Sequence, residues 1–82
     1  MEKPRILLID DDKNAVNGLK KILRHDGYDT SCVYTGNEAI SLIDTEHFDI
    51  VITDMKLPDI SGFSIIEKVK KNDADIPVIM IT

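Results

Sequence analysis

The sequence has little of several residues that would point to a specialised class of protein. Its 82 residues contain one cysteine, Cys32, and no tryptophan. A single cysteine excludes an internal disulfide and leaves no ligand spacing typical of zinc sites. We therefore interpret Cys32 as a small buried hydrophobic residue. Only two tyrosines and two phenylalanines are present, so the core must consist mainly of isoleucine, leucine and valine.

Basic charge and long apolar runs are lacking as well. The formal net charge is −5, so the chain offers no basic footprint for a phosphate backbone, and we expect no direct binding of nucleic acid. No apolar run approaches the length that spans a membrane, and the first residues do not resemble a signal peptide. We expect one small domain in the cytoplasm.

The sequence does contain a regular alternation of apolar runs and helical patterns. Continuous apolar stretches at residues 5–9, 48–53 and 77–82 predict buried strands, and the more polar residues 28–34 predict an edge strand. Between these stretches, apolar residues recur at intervals of three and four, which predicts helices. The resulting β-α-β-α-β-α-β order favours an α/β fold, with a parallel sheet between two helix layers.

Residues with capping preferences stand at the expected helix ends. The first helix is predicted to begin after Asp12 and to end in left-handed geometry at Gly27. Thr35 and Glu38 have the spacing of a capping box at the second helix, and Ser61 is expected to cap the third. The face of the first helix that we expect to pack on the sheet carries Ala15, Val16, Leu19, Ile22 and Leu23.

Acidic residues stand where two of the predicted strands end. Asp10, Asp11 and Asp12 follow the first strand, and Asp54 follows the third. Ligands bind outside the carboxyl ends of the strands in open α/β sheets, so these carboxylates meet if the two strands are neighbours. Repulsion between them raises at least one pKa, and a hard divalent cation such as Mg²⁺ relieves it. We predict a Mg²⁺ site in which Asp54 can also attack phosphorus.

Three segments carry a resemblance to a known family: LLIDDDKN, IVITDMKLPDISG and PVIMIT. In this order and at this spacing, they resemble the receiver domain of bacterial two-component response regulators, and the resemblance extends over the whole chain. It implies a flavodoxin-like, three-layer fold in which the strand order 2-1-3-4 places strands one and three side by side. The segment TDMKLPDISG is also similar to receivers of sigma-54-dependent transcription activators.

The resemblance implies a role for each residue of the site. Asp54 would be the phosphoacceptor, charged from a phosphohistidine of a sensor histidine kinase. Asp10 and Asp11 would bind Mg²⁺ together with Asp54 and the backbone carbonyl of Lys56, and Thr82 would be the switch hydroxyl that reports phosphorylation. The chain would act in phosphorelay signal transduction as part of a transcriptional regulator, and not as an enzyme.

The family's domain is longer, at roughly 120 residues. We therefore expect residues 1–82 to form an incomplete receiver domain that lacks the last helix-strand-helix. The lysine and the aromatic residue that the family carries on its fifth strand have no counterpart, so we expect impaired phosphorylation and signalling. The fourth strand becomes an apolar edge without charged residues that block pairing. We expect a homo-oligomer through this strand or through the uncovered sheet face.

Two other functions fit parts of the sequence. Without the lysine, the chain could be an oligomerising or binding fragment that has no phosphochemistry. Asp10 and Asp12 also have the D-x-D spacing of haloacid dehalogenase-like phosphatases, which are Mg²⁺-dependent enzymes with an aspartyl nucleophile. Lys13 and Asn14, however, follow where that family prefers a small residue and threonine or valine, and Asp54 would have no role.

Overall fold

Four strands and three helices alternate along residues 3–81, the part of the chain that the computed structural model describes. They are β1 (Arg5–Ile9), α1 (Lys13–His25), β2 (Asp29–Val33), α2 (Gly36–Thr45), β3 (Ile50–Asp54), α3 (Gly62–Asn72) and β4 (Val78–Ile81). The predicted alternation is confirmed, and the largest difference is that β3 begins at Ile50 rather than at Phe48. Within the described residues, no helix is both long and apolar enough to cross a membrane.

The four strands form one parallel sheet in the order β2-β1-β3-β4. The predicted α/β fold and its strand order are therefore confirmed. β1 lies inside the sheet, where Leu7 pairs with Ser31 on one side and with Val51 on the other. This position explains the continuous apolar run of β1, because an interior parallel strand is covered on both faces. Within residues 3–81, β2 and β4 are the edges of the sheet.

Capping hydrogen bonds fix where the helices begin and end. The Asp12 carboxylate accepts bonds of 3.1 and 3.2 Å from two backbone N–H groups in the first turn of α1, as predicted. Gly27 follows α1 with φ of 95°, a conformation that favours glycine. At α2, the Thr35 hydroxyl accepts from the Glu38 N–H at 3.3 Å. Ser61 caps α3 directly after the loop that follows β3.

One face of the sheet is closed by α2 and α3. Strand side chains on this face interlock with one residue of α2 and two of α3 to form a fully buried core. Its buried members include Leu7, Ile9, Val51, Ala39, Ile65 and Val69. Complete burial of an aliphatic side chain contributes about 1.5–3 kcal/mol, so this layer supplies much of the stability of the fold.

The opposite face carries α1, which packs on β1 and β2. Side chains alternate between the two faces along each strand, so Leu8, Ile52 and Ile79 share this second face, where they are paired in register. Leu8 of β1 is buried, Ile52 of β3 is half-buried, and Ile79 of β4 is 50% exposed. Burial therefore decreases from the centre of the sheet toward the β4 edge.

The helix α1 departs from the predicted packing. Of its expected inward face, only Val16 is buried, whereas Ala15 is exposed and Ile22 is 60% exposed. Within residues 3–81, α1 has no helix beside it on this face. The sheet covers only a narrow stripe of a single helix, so the rest of the apolar face remains accessible.

Cys32, on the edge strand β2, is half-buried rather than fully buried. Burial raises the pKa of its thiol, although the nearby charges of Lys20 and Arg24 act in the opposite direction. A raised pKa keeps the thiol protonated and poorly nucleophilic. Its packing role is therefore retained, with less burial than the sequence predicted.

Candidate functional site

The carboxyl ends of β1 and β3 bring three acidic side chains together. Asp10 and Asp11 directly follow β1, and Asp54 is the last residue of β3. Each side chain offers a carboxylate oxygen, and these oxygens lie within 4.8 Å of one another. The register explains their proximity, because Ile9 pairs with Thr53 and the next residue of each strand lies just beyond that pair.

The three acids, which we call the acid cluster, differ in burial and in charge environment. Asp10 is 9% exposed, Asp54 is half-buried and Asp11 is exposed. Burial is the main cause that raises the pKa of Asp10, and the charges of Asp54 and Asp11 raise it further. The Asp12 N–H, which donates to Asp10 at 3.0 Å, opposes this rise. None of the ion pairs within residues 3–81 involves the acid cluster.

The chemistry of the acid cluster fits a hard divalent cation. All three side chains supply oxygen atoms, and the exposed position of Asp11 leaves one side of the cluster open to solvent. Mg²⁺ prefers oxygen ligands, retains several waters and accepts phosphate oxygens in their place. A cation here would also remove the repulsion that raises the pKa of Asp10. Asp10, Asp11 and Asp54 are therefore the residues that could hold Mg²⁺.

The loop between β3 and α3, which we call the β3–α3 loop, folds back against the end of β3. The Lys56 N–H donates to the Asp54 carboxylate at 3.3 Å, and Lys56 pairs with Ser61 in an isolated antiparallel bridge. The Gly62 N–H donates to the Met55 carbonyl at 2.8 Å. A Cβ atom on Gly62 would collide with the backbone of Asp54. Glycine is thus required for α3 to begin so close to the acid cluster.

The other residues that the sequence analysis assigned to the site or its surroundings are Lys56, Asp12 and Thr82. The backbone N–H of Lys56 lies next to the Asp54 carboxylate, and the Lys56 side chain is exposed. Asp12 caps α1, as predicted, and is not a member of the acid cluster. Thr82, the predicted switch hydroxyl, lies outside the described residues. Its neighbour in sequence, Ile81, pairs in register with Asp54.

Sequence reasoning missed Asp59, which lies in the β3–α3 loop. Its carboxylate accepts hydrogen bonds of 2.8 Å from the Gly36 N–H and of 2.8 Å from the Asn37 N–H, at the start of α2. These partners are 23 and 22 residues away in the chain. No local spacing reveals such a contact. The one available signal was an aspartate after a proline in a loop, which is also common in ordinary turns.

A parallel α/β domain with acidic side chains at the carboxyl ends of its strands belongs to the class of open-sheet proteins that bind ligands at that edge. The response regulator receiver domain family matches residues 6–82 of this chain. The chain therefore belongs to the response regulator receiver domain family, which confirms the resemblance seen in the sequence.

Several characterised proteins are similar to this chain. It is 37% identical over 78 residues to the transcriptional regulatory protein PmrA of Pectobacterium parmentieri, a match that covers 95% of this chain and 35% of PmrA. It is 38% identical to the non-phosphorylated HemR receiver domain from Leptospira biflexa, with a TM-score of 0.90 over 95% of this chain and 63% of that chain.

A second similar structure shows a modified protein. It is a response regulator protein from Burkholderia pseudomallei, with a phosphorylated aspartic acid, a calcium ion and citrate. Its identity to this chain is 26% and the TM-score is 0.88, over 95% of this chain and 46% of that chain. This chain thus spans 35% of PmrA and less than two thirds of the HemR chain. These similarities do not single out the sigma-54-dependent type.

Proposed function

We propose that this chain accepts a phosphoryl group on Asp54 from a phosphohistidine of a sensor histidine kinase, in the presence of Mg²⁺. The observation that carries the proposal is the convergence of the carboxylates of Asp10, Asp11 and Asp54 within 4.8 Å. The phosphorylated aspartic acid and calcium ion of the Burkholderia pseudomallei protein support it. By analogy with PmrA, we propose that the chain is part of a cytoplasmic transcriptional regulator.

The proposed reaction moves one phosphoryl group between two side chains. A carboxylate oxygen of Asp54 attacks phosphorus, an O–P bond forms, and the P–N bond to the donor imidazole breaks. The imidazole then takes up a proton. Mg²⁺, when bound, neutralises the negative oxygens of the phosphoryl group. Asp10 and Asp11 contribute ligand oxygens, and the half-buried position of Asp54 leaves its carboxylate accessible.

Two further residues complete the proposed site. Lys56 would give its backbone carbonyl to the metal, and its position beside Asp54 supports this role. Thr82 would place its hydroxyl on the phosphoryl group, which is supported by the register that pairs its neighbour Ile81 with Asp54. Metal affinity tests the assignment of Lys56, and the lifetime of the phosphorylated form in a Thr82→Ala variant tests the assignment of Thr82.

The direct test is mass spectrometry after incubation with a small phosphodonor and Mg²⁺. We expect a single added phosphoryl group that maps to Asp54 and is absent in Asp54→Asn. Asp49→Asn, an acidic residue at the other end of the sheet, is the matched control and should label like the parent. Label on Asp10 would instead support the aspartyl phosphatase, and no label at all would contradict the proposed function.

We also propose that labelling of this chain is slow. Within residues 3–81, no lysine or arginine pairs with the acid cluster, so no described side chain assists Mg²⁺ in neutralising the phosphoryl oxygens. Loss of such a group costs stabilisation of the transition state. Rapid and stoichiometric labelling of Asp54 would contradict this part of the proposal.

Exposed apolar side chains on β4 support a second candidate function, which is self-association without phosphochemistry. Ile79 is 50% exposed and Ile81 is half-buried, on the edge strand of the described sheet. We propose that this strand or the adjoining sheet face joins copies of the chain. Light scattering at tens of micromolar should show a dimer or larger assembly, and Ile79→Lys should weaken it. A monomer that labels on Asp54 would exclude this candidate.

A further inference from the structure

The tip of the β3–α3 loop is attached to the first turn of α2. Asp59 Oδ1 accepts from the Gly36 N–H and Asp59 Oδ2 accepts from the Asn37 N–H, each at 2.8 Å. These N–H groups, that of Asn37 first, lower the pKa of Asp59. The carboxylate is therefore charged at neutral pH, at the helix end where the dipole favours negative charge.

Packing reinforces this attachment. Gly36 is buried, and a Cβ atom there would collide with the side chain of Ile60. Ile60 in turn packs against the buried core beneath α2 and α3. The tip of the loop is thus held by hydrogen bonds through Asp59 and by packing through Ile60. Its base is held by the bridge between Lys56 and Ser61.

We propose that Asp59 is a positioning residue for the acid cluster, because it fastens the β3–α3 loop to α2 and so holds Lys56 beside Asp54. The inference rests on the proposed function, in which the Lys56 carbonyl serves the metal. Lys56 precedes Asp59 by three residues in the same short loop. Movement at the tip is therefore transmitted to Lys56, whose N–H donates to the Asp54 carboxylate at 3.3 Å.

The chain offers a matched control for this role. Thr35 caps the same end of α2 by accepting from the Glu38 N–H at 3.3 Å, and this bond does not involve the β3–α3 loop. Thr35→Ala and Asp59→Ala therefore both remove a cap from α2. Only Asp59→Ala releases the loop. If Asp59 merely stabilised the helix, the two variants would behave alike.

The experiment combines Mg²⁺ titration with amide hydrogen exchange followed by NMR. We expect Asp59→Ala to weaken Mg²⁺ binding about tenfold, as the loss of outer-shell support does at other metal sites. It should also accelerate exchange of the Gly62 N–H, which donates to Met55 at the base of the loop. Thr35→Ala should lower the melting temperature without either change. Asp59→Asn keeps one acceptor oxygen and should lie between Asp59→Ala and the parent.

Equal loop exchange and equal Mg²⁺ affinity in Asp59→Ala and Thr35→Ala would overturn the inference. If the parent binds no Mg²⁺, the proposed function fails, and loop exchange alone then decides the role of Asp59. If Asp59→Ala does not fold, Asp59→Asn serves in its place, because it keeps one of the two acceptor oxygens that bind α2. We then expect faster loop exchange than in the parent; no change in loop exchange would count against the role.

Discussion

Acidic residues gather at both ends of the sheet, but among residues 3–81 only the amino end neutralises them with a basic side chain. At the amino end, Arg5 Nη2 lies 2.6 Å from Glu46 Oε1 and Arg5 Nε lies 3.7 Å from Asp29 Oδ2. The backbone N–H of Arg5 also donates to the Asp49 carboxylate at 2.8 Å. At the carboxyl end, the acid cluster has no ion-pair partner among the residues that the structure describes.

The pKa directions follow this difference. The hydrogen bond from the backbone N–H of Arg5 is the main cause that lowers the pKa of Asp49. Burial and neighbouring carboxylates, in contrast, raise the pKa of Asp10. The two ends carry similar numbers of acidic residues, so the difference in pKa direction comes from the surroundings of these residues and not from their number. At the amino end, the folded chain itself supplies the groups that offset the acidic charge. At the carboxyl end, no described side chain offsets the acidic charge, and the raised pKa of Asp10 is a perturbation typical of functional sites.

The largest expected effect is that of metal on stability. If the acid cluster binds Mg²⁺ only in the folded state, Mg²⁺ at about 100 times its Kd raises the free energy of unfolding by about 2.7 kcal/mol. For a domain of this size, that corresponds to a rise of roughly 11–22 °C in melting temperature. Thermal unfolding with Mg²⁺ and with a chelator measures it. Identical melting temperatures would remove the contrast between the two ends.

The next effect concerns which acids bind the metal. Asp10→Asn replaces a ligand carboxylate with a neutral amide, and we expect Mg²⁺ affinity to fall by about tenfold or more, equivalent to about 1.4 kcal/mol. Asp49→Asn removes an acid from the amino end and should leave the affinity unchanged. Isothermal titration calorimetry compares them. Equal losses in both variants would mean that Mg²⁺ responds to net charge and not to the acid cluster.

The two ends should also respond oppositely to pH when no metal is present. Because the pKa of Asp10 is raised above its ordinary value of 3.8, the folded state binds more protons above that value, and stability falls as pH rises through the raised pKa. The lowered pKa of Asp49 gives stability that is present above its ordinary value and lost as pH falls.

Asp10→Asn should therefore melt at a higher temperature than the parent at pH 7, and the difference should vanish in acid. Asp49→Asn should melt at a lower temperature at pH 7. Melting temperatures measured from pH 3 to pH 8 in a chelator test both signs. A destabilised Asp10→Asn at pH 7 would show that the repulsion within the acid cluster is weaker than the contacts of Asp10.

The smallest effect is expected at the amino end. Arg5→Gln removes the cation shared by Glu46 and Asp29, but the Arg5 side chain is 33% exposed, so solvent screens much of the interaction. We expect a slight decrease in the denaturant midpoint and no change in Mg²⁺ affinity. Lys71→Gln, at an exposed lysine of α3, is the control. A decrease in Mg²⁺ affinity for Arg5→Gln would show that the two ends are coupled.

The features that depend on local pattern or on strand ends could be predicted from the sequence. Apolar runs of the right length give the strands, and the alternation of strands and helices gives a parallel sheet. The meeting of Asp10, Asp11 and Asp54 follows from neighbouring parallel strands, which end at one edge. The resemblance to receiver domains supplied the strand order, which periodicity does not specify.

Features that depend on distant parts of the chain could not be predicted. Asp59 binds α2 across more than twenty residues of sequence, and neither segment alone indicates the contact. Ile22 lies in a helical apolar stripe yet is 60% exposed, because burial depends on what covers a helix and not on its periodicity. The burial that raises the pKa of Asp10 is likewise a property of the assembled sheet.

The absence of a side chain at Gly62 separates two kinds of mutational tolerance. A Cβ atom there would collide with the backbone of Asp54, so substitutions at Gly62 should be depleted in any library selected only for folded, protease-resistant chains. Substitutions at Asp54 should survive that selection and disappear only when phosphoryl labelling is selected. Two positions eight residues apart would thus report separately on foldability and on chemistry.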